Sequence, residues 1–584
     1  MTELPEGYRK WQSDVIVDLL QAYDVEYIAI NPGASFRGLH DSLVNYGGDN
    51  PKMLVCQHEE TAVQIAHGYA KATGTPMACI LHDLVGLLHG QMAVYYAFAD
   101  RAPVFILGAT GPMDEAKRRP RSDWHHTAQS QGDAVRNFTK FDYQPHAIEG
   151  VPDSFMRAWS AMVTEPAGPV YLCYDAMLQE MPLTTEVFIP GPEIEKAPAP
   201  MAADPAKLEA IVRKLLYADA PWIMAEFTGR HPGNFEKLVT LAETLGVAVW
   251  DVNSALCFPN RHPQALSMDT DSLKTADAIL ALDVVDWEKA TAKLNSTTRE
   301  LTSYLADDCV WMEVGFHETG IGSWSLDYGR YLPKSLSALG DPRLAMPQMT
   351  EIAERLIAED AALPAKIAAR KARIAARHDE IFTRWAEEAK EDRDASPVTP
   401  ARLAEEVWSV IRDEDWVLAA GTLRQWTRKL WDFDAPHRHP GKGLGTSTQI
   451  GIGLGVALAH KKSDTVVVTF QPDGDLMYDA GALWTAAKHE IPLLMVMYNN
   501  RAYYNDWHHQ IRMARMRGTD ENRAHIGMDL FGPEPDFAAM ARSMGVWGEG
   551  PIDRPEEIAP AVARALEVVK SGKPALVDVI CRHR

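Results

Sequence analysis

TVVVTFQPDGD (465–475) and PLLMVMYNN (492–500) are two apolar runs, and each ends in polar residues. A short uninterrupted run rich in Val, Leu and Phe is the pattern of a strand covered on both faces. A helix is predicted to start near Ala480, between them. Strand, helix and strand make a parallel pair, so Asp473-Gly474 and Asn499-Asn500 emerge at the carboxyl ends of adjacent strands. In open α/β sheets that edge is where ligands bind. Asp473 offers a carboxylate, and Asn500, 27 residues on, an amide oxygen. Hard oxygen donors of this kind suit magnesium, with diphosphate oxygens filling other octahedral positions. Gly474 lets the backbone approach a phosphate, and helix N-termini favour its charge. An ordinary strand and turn would explain Asp473-Gly474 alone; the paired Asn499-Asn500 argues for more.

The same alternation runs outward through the chain. VEYIAI (25–30), PMACILH (76–82), PVFILGAT (103–110) and GPVYLCYD (168–175) read as strands between helical stretches. PWIMAE (221–226), VAVWDV (247–252), AILALDV (278–284) and CVWMEV (309–314) form a second set, and WVLAAG (416–421) and ALVDVI (575–580) complete a third. The fold class is therefore α/β, with three doubly wound parallel-sheet domains. Their bounds are 1–185, 200–345 and 396–584. A proline-rich linker lies at 183–205, and a charged helical linker at 350–395, with its helix from Pro364 to Asp394. The first and third domains could be similar folds used twice, which the sequence leaves open.

The 584 residues, 46% of them hydrophobic, suffice for several cores. The net charge of −22 argues against a general nucleic-acid binder, which needs a basic surface. No run approaches the roughly 20 apolar residues of a membrane span, and MTELPEGYRKWQSD lacks the apolar core of a secretory signal. Six scattered cysteines without a CxxC suit a reduced cytoplasm and make a cysteine zinc site unexpected.

Residues 473–503 resemble the GDG…NN signature of thiamine diphosphate enzymes, within the acetolactate synthase and benzoylformate decarboxylase group. The chain departs from it at Pro472, in place of the leading glycine, and at Asp475, in place of a small residue. The resemblance implies thiamine diphosphate and Mg2+ as cofactors, with Asp473, Asn500 and the Ala502 carbonyl as metal ligands. It implies pyrimidine-binding, central and diphosphate-binding domains in that order. It also implies a homodimer or homotetramer whose active sites lie between subunits. Gly474, Asp475 and Tyr503 belong to the implied cofactor site; Asp475 would add negative charge unless it turns away and leaves only its N–H.

VCQHEETAVQIAHGYAKATG, at 55–73 and onward, resembles the family segment that carries the activating acid, which implies Glu59 in that role, with Glu60 the adjacent alternative. A glutamate stabilised by a helix N-terminus would explain either residue as well. Asn31-Pro32-Gly33 resembles the family turn after the first strand, with Ala34 and Ser35 where one serine is usual. His82 matches the catalytic histidine of benzoylformate decarboxylase, and a near-neutral imidazole can move protons; a structural role is the alternative, as it is for His89. Trp124-His125-His126 is similar to the paired histidines of pyruvate decarboxylases, with His126 the catalytic candidate and an exposed loop the alternative. Ile450 falls at the bulky residue between the cofactor rings, with core packing as the alternative. Gly421 and Thr422 match cofactor contacts. Beyond the anchor, Asn505 and His509 are polar, with His508 beside them, which favours a polar or carboxylated substrate.

The expected reaction is decarboxylation of a polar 2-oxo acid on a small-molecule carbonyl substrate. Carboligation of the acetolactate synthase type is the runner-up, and a non-catalytic cofactor-binding module the alternative from another class. Domain two lacks GxGxxG after a strand, which argues against a dehydrogenase, and its Glu226–Arg230 turn is a weak FAD signal.

Overall fold

Strands that are apolar on both faces require helices on both sides of a sheet. The computed structural model describes residues 11–320, 330–420, 423, 425–441, 445 and 447–583. Its first sheet holds β1 (Tyr27–Ile30), β2 (Lys52–Val55), β3 (Met77–Leu81), β4 (Val104–Thr110), β5 (Phe141–Tyr143) and β6 (Val170–Asp175). Their order is β2-β1-β3-β4-β6-β5. The central sheet holds β7 (Pro221–Ala225), β8 (Ala248–Asp251) and β9 (Ala278–Leu282). A small antiparallel hairpin of β10 (Ala292–Leu294) and β11 (Leu301–Ser303) follows. The central sheet then adds β12 (Val310–Gly315) and β13 (Leu336–Leu339), in the order β13-β12-β9-β7-β8. The third sheet holds β14 (Trp416–Ala420), β15 (Val466–Pro472), β16 (Leu493–Asn499), β17 (Trp547–Ile552) and β18 (Ala575–Ile580), in the order β14-β15-β16-β18-β17. The three sheets pair in parallel throughout the described residues.

Set β2 aside as an added edge, and the first and third sheets have one strand order: first, second, third, fifth, fourth. The two domains are thus the same doubly wound plan used twice, which answers the question the sequence left open.

The register explains where the ligand-bearing residues emerge. Ile30 pairs with both Val55 and Ile80, so the turn at 31–33, the segment 56–59 and the segment 82–83 leave one edge together. Pro472 pairs with Tyr498, which brings Asp473 out beside Asn499. The helix expected near Ala480 is Ala482–Lys488, and a separate turn, Asp473–Leu476, precedes it. Pro472 ends the ladder, and Asp473 supplies an acceptor for the free N–H groups of the new turn.

Within 350–395, the helices Pro342–Glu359 and Leu363–Glu388 lie against the central domain. Ile367, Ile374, Ile381 and Trp385 are buried along one face of the longer one. The Arg370 guanidinium donates through its two terminal nitrogens to the carbonyls of Leu215, Leu216, Ala218 and Leu245, which offsets the cost of burying its charge.

The first and third domains meet where the helix Glu59–Thr73 crosses the helix Thr448–His460. Glycines allow the approach: a Cβ on Gly68 would stand 2.2 Å from the Ile452 carbonyl oxygen, and one on Gly455 2.2 Å from that of Ile65. Val63 and Ile65 join Ile452 and Val456 in one apolar cluster. All six cysteines are free, five of them buried. Among the described residues no helix is long and apolar enough to cross a membrane.

Candidate active site

Three of the expected ligands converge at the carboxyl edge of the third sheet. The Ala502 N–H donates to Asp473 Oδ2 at 3.2 Å and to Asn500 Oδ1 at 3.1 Å. Burial pushes the Asp473 carboxyl up to about 6, against the pull of the N–H groups around it. A carboxylate held in that state gains from a nearby cation. Asn499 faces elsewhere: its Nδ2 donates to the buried Asp578 at 3.0 Å, and its Oδ1 accepts the Arg501 N–H. Only the second Asn of the pair faces Asp473. The Tyr503 ring lies over Gly474, where a Cβ would meet Cε1 at 2.4 Å.

Asp475 turns away from this cluster. Its carboxylate accepts from the Ser447 N–H and from Gln471 Nε2, so a bound phosphate would meet its backbone rather than its charge. Ile450 is fully buried in the apolar cluster that joins the two domains. Gly421 and Thr422 lie outside the described residues.

The first domain carries a second cluster. Glu59 opens its helix, is 5% exposed, and its Oε2 has no hydrogen-bond partner among the described residues. Oε2 stands 3.5 Å from His89 Nδ1, and the His89 ring stacks on His58 at 5.3 Å. Gly86 brings Glu59 and His82 together: a Cβ there would lie 3.0 Å from Glu59 Oε1 and 3.2 Å from His82 Cβ. Glu60 points the other way. It accepts from Gln64 and faces the third domain, where burial and then Asp479 push its carboxyl up to about 7. The geometry separates the two acids, and Glu59 is the one beside the histidines.

His82 sits flat against Gly33, whose absent Cβ would fall 2.3 Å from His82 Cγ. Asn31 is half-buried, while Pro32 and Ala34 are exposed. Ser35 is buried, and its hydroxyl lies 2.8 Å from His82 Nδ1. The hydroxyl of this turn therefore serves the histidine. The His126 ring is 5.8 Å from that of His82, whereas His125 is exposed and stacks on Trp124. Burial and then His126 hold the His82 imidazole below its usual range. Arg119 adds positive charge beside His82 and is held by Asp123. Asn505 and His509 are exposed one turn apart on the helix Tyr504–Arg517, with His508 half-buried between them.

Two functional candidates were not drawn from the sequence, Asp83 and Arg119. Asp83 ends the β3 edge as Asp473 ends that of β15, each opening the helix that follows the second strand of its plan. That shared position was the available signal. Arg119 lies in a basic loop with nothing local to mark it.

The residues fit a magnesium–diphosphate group. Two side-chain oxygens, Asp473 Oδ2 and Asn500 Oδ1, meet at the Ala502 N–H, further backbone N–H groups surround Asp473, and Gly474 has no side chain beneath the Tyr503 ring. They fit a heteroaromatic ring as well, since a buried Glu59 oxygen is left without a partner. Among the described residues, no hydrogen bond or ion pair joins Glu59 or His82 to Asp473, Asn500 or Ala502.

The comparisons agree with this geometry. Residues 10–136 match the family model of the N-terminal thiamine pyrophosphate-binding domain, and residues 419–579 that of the C-terminal one. The chain is 23% identical to the "Probable acetolactate synthase large subunit" of Methanocaldococcus jannaschii, over 97% of this chain and 91% of that one. It is 22% identical to the "Acetolactate synthase isozyme 3 large subunit" of Escherichia coli, over 97% and 94%. The benzoylformate decarboxylase structure from Polynucleobacter necessarius shares the fold with a TM-score of 0.76, at 17% identity, over 98% of this chain and 99% of that one. With both binding domains matched and the acid and anchor clusters in place, the chain belongs to the thiamine diphosphate-dependent enzymes, of acetolactate synthase or decarboxylase type.

Proposed function

We propose that the protein decarboxylates a polar 2-oxo acid, using thiamine diphosphate and Mg2+. The observation that carries this reading is the setting of Glu59. Its buried oxygen, without a hydrogen bond among the described residues, lies near His82, which has His126 and Arg119 beside it. Asp473, Asn500 and the Ala502 carbonyl would hold the metal, and the N–H groups at 474–475 would meet the diphosphate. When bound, the cofactor supplies an electron sink that lets a bond next to a carbonyl break. Glu59 would hold a proton at the aminopyrimidine ring. His82 would move a proton at the reacting group, and the positive lining would orient a carboxylate.

Two features support a site completed by a second copy. The Glu59 and Asp473 clusters have no bond between them. Exposed apolar residues flank each: Leu88 and Met92 beside His89, Met477 and Tyr478 beyond the anchor. A homodimer or homotetramer that pairs one cluster with the partner's other cluster would cover both patches.

Carboligation is the second reading, favoured by the acetolactate synthase relatives that span nearly the whole chain. A panel of carbonyl substrates with thiamine diphosphate and Mg2+, followed for CO2 and for ligated products, separates the two. CO2 and free aldehyde from polar 2-oxo acids are expected. Activity confined to phenyl or long apolar acids removes the polar assignment, and ligated product without aldehyde makes carboligation the function.

A further inference from the structure

The helix Asp83–Ala99 begins with a residue in the left-handed region, Asp83 at φ +42°. A non-glycine residue held there at the start of a helix is strained, and such strain persists only where surroundings impose it. The Asp83 side chain is wholly buried, and among the described residues neither carboxyl oxygen has a close hydrogen-bond partner, although the Ser35 hydroxyl lies beside them. A buried carboxyl without partners is expensive as an anion and tolerable as a neutral acid. Its Oδ2 is 3.8 Å from His82 Nδ1, and the Ser35 hydroxyl lies beside both groups. Ser35 Oγ accepts the Asp83 N–H at 3.2 Å and lies 2.8 Å from His82 Nδ1. With that N–H on its oxygen, the Ser35 hydrogen is free to donate to Nδ1. The His82 proton then resides on Nε2, a tautomer assigned from these partners.

We infer that Asp83 is a proton store for His82, delivered through the Ser35 hydroxyl, and so a positioning residue for the proton transfer at this site. The inference rests on the proposed role of His82. A neutral imidazole cannot release its Nε2 proton alone, because imidazolate is out of reach near neutral pH. The transfer balances when the chain moves together. The Nε2–H bond breaks as the acceptor in the pocket gains that proton. The Ser35 O–H breaks as Nδ1–H forms; the Asp83 carboxyl, which a small side-chain rotation brings from beside Ser35 onto its Oγ, gives up its O–H as the Ser35 O–H re-forms. Asp83 ends as a carboxylate and His82 as the other neutral tautomer. Uptake of a solvent proton at Nε2 runs the chain backwards and restores the acid.

The charges around the relay match its needs. Burial pushes the Asp83 carboxyl up to about 7, so the store is filled below that pH. Asp123 raises it further, while Arg119 and the Ser35 hydroxyl favour the anion left after transfer. From β6, Tyr171 and Cys173 face it with protons that burial holds in place. His82 itself faces His126, Glu59 and Arg119, and burial keeps it neutral.

The test uses the full-length protein, with and without thiamine diphosphate. Infrared difference spectra across about pH 5 to about pH 9 should show a protonated carboxyl band that titrates near 7 and is missing in Asp83→Asn. In turnover of pyruvate, benzoylformate and 2-oxoglutarate, Asp83→Asn should lower kcat about 10- to 100-fold, leave KM within about twofold, and abolish the loss of rate as pH rises through about 7. Ser35→Ala should act alike, with Ser35→Thr restoring most of the rate. An unchanged infrared spectrum in Asp83→Asn overturns the inference, whether or not any of these acids is a substrate. So does a slowed Asp83→Asn enzyme with the wild-type pH limb, or one whose cofactor affinity and melting temperature fall in step with its rate, since those mark a merely structural residue. Full activity in His82→Ala, with the Asp83 band still present, would instead remove the His82 assignment on which the inference depends.

Discussion

The first and third domains repeat one strand order, and each places a buried aspartate at the first residue of the helix after its second strand. Asp473 is surrounded by backbone N–H groups beside Asn500 and Ala502. Asp83 has a histidine and a serine instead, and no donor on its carboxyl oxygens. Burial raises both carboxyls. On the proposed reading the same fold position would hold a cation in one domain and a proton in the other, and the difference comes from neighbours rather than from topology.

That contrast breaks most readily at the anchor. Asp473→Ala should abolish turnover and weaken cofactor binding by more than about 100-fold, measured by titration with Mg2+ present, and chelation of the metal from the wild type should reproduce the loss. Retained affinity would mean the anchor lies elsewhere. Glu59→Gln should instead keep cofactor affinity within a few-fold while kcat falls by about 100-fold or more. Equal losses of affinity and rate would erase the division of labour between the domains.

A third comparison uses stability. Asp83 keeps its proton in the folded chain up to about 7, while an unfolded aspartate loses it near 4. The folded state therefore binds the extra proton between those values. This contribution to stability falls as pH rises through the window and levels off above about 7. Asp83→Asn lacks it, so relative to the wild type the variant should gain roughly 2–4 kcal/mol between about pH 4 and about pH 8 in denaturant titrations. A flat difference would mean that Asp83 is ionised when folded. The smallest effect is expected from Gly33→Ala. The new methyl would press on the His82 ring and cost about 10-fold in kcat with cofactor affinity unchanged.

The central strands of each sheet were legible because both their faces are buried, and uninterrupted Val, Leu and Ile is then the only pattern available. Edge strands carry a weaker signal. β17 holds two glycines and a proline and pairs with a register shift, and β2 is half-exposed. The anchor was legible because its parts are local and backbone-rich: Asp473, Gly474 and Asn500 sit at strand ends that the sequence itself marks. The resemblance already favoured Glu59 over Glu60; that the two acids face different ways needed the fold, since both open the same helix and Glu60 packs toward Asp479. Asp83 needed it even more. Its partners are Ser35, 48 residues earlier, and the His82 beside it, and its backbone angle is visible only in three dimensions.

The glycine-lined crossing of the helices Glu59–Thr73 and Thr448–His460 carries a consequence for how the gene can be divided. Each helix buries its face on the other, so each domain keeps one apolar layer of its own while the second layer is shared between them. Two open reading frames split within the proline-rich stretch at 183–205 would yield fragments with mutually exposed apolar ridges. Made separately they would aggregate; made together they would reassemble, because the covalent link between them is dispensable while the crossing is not.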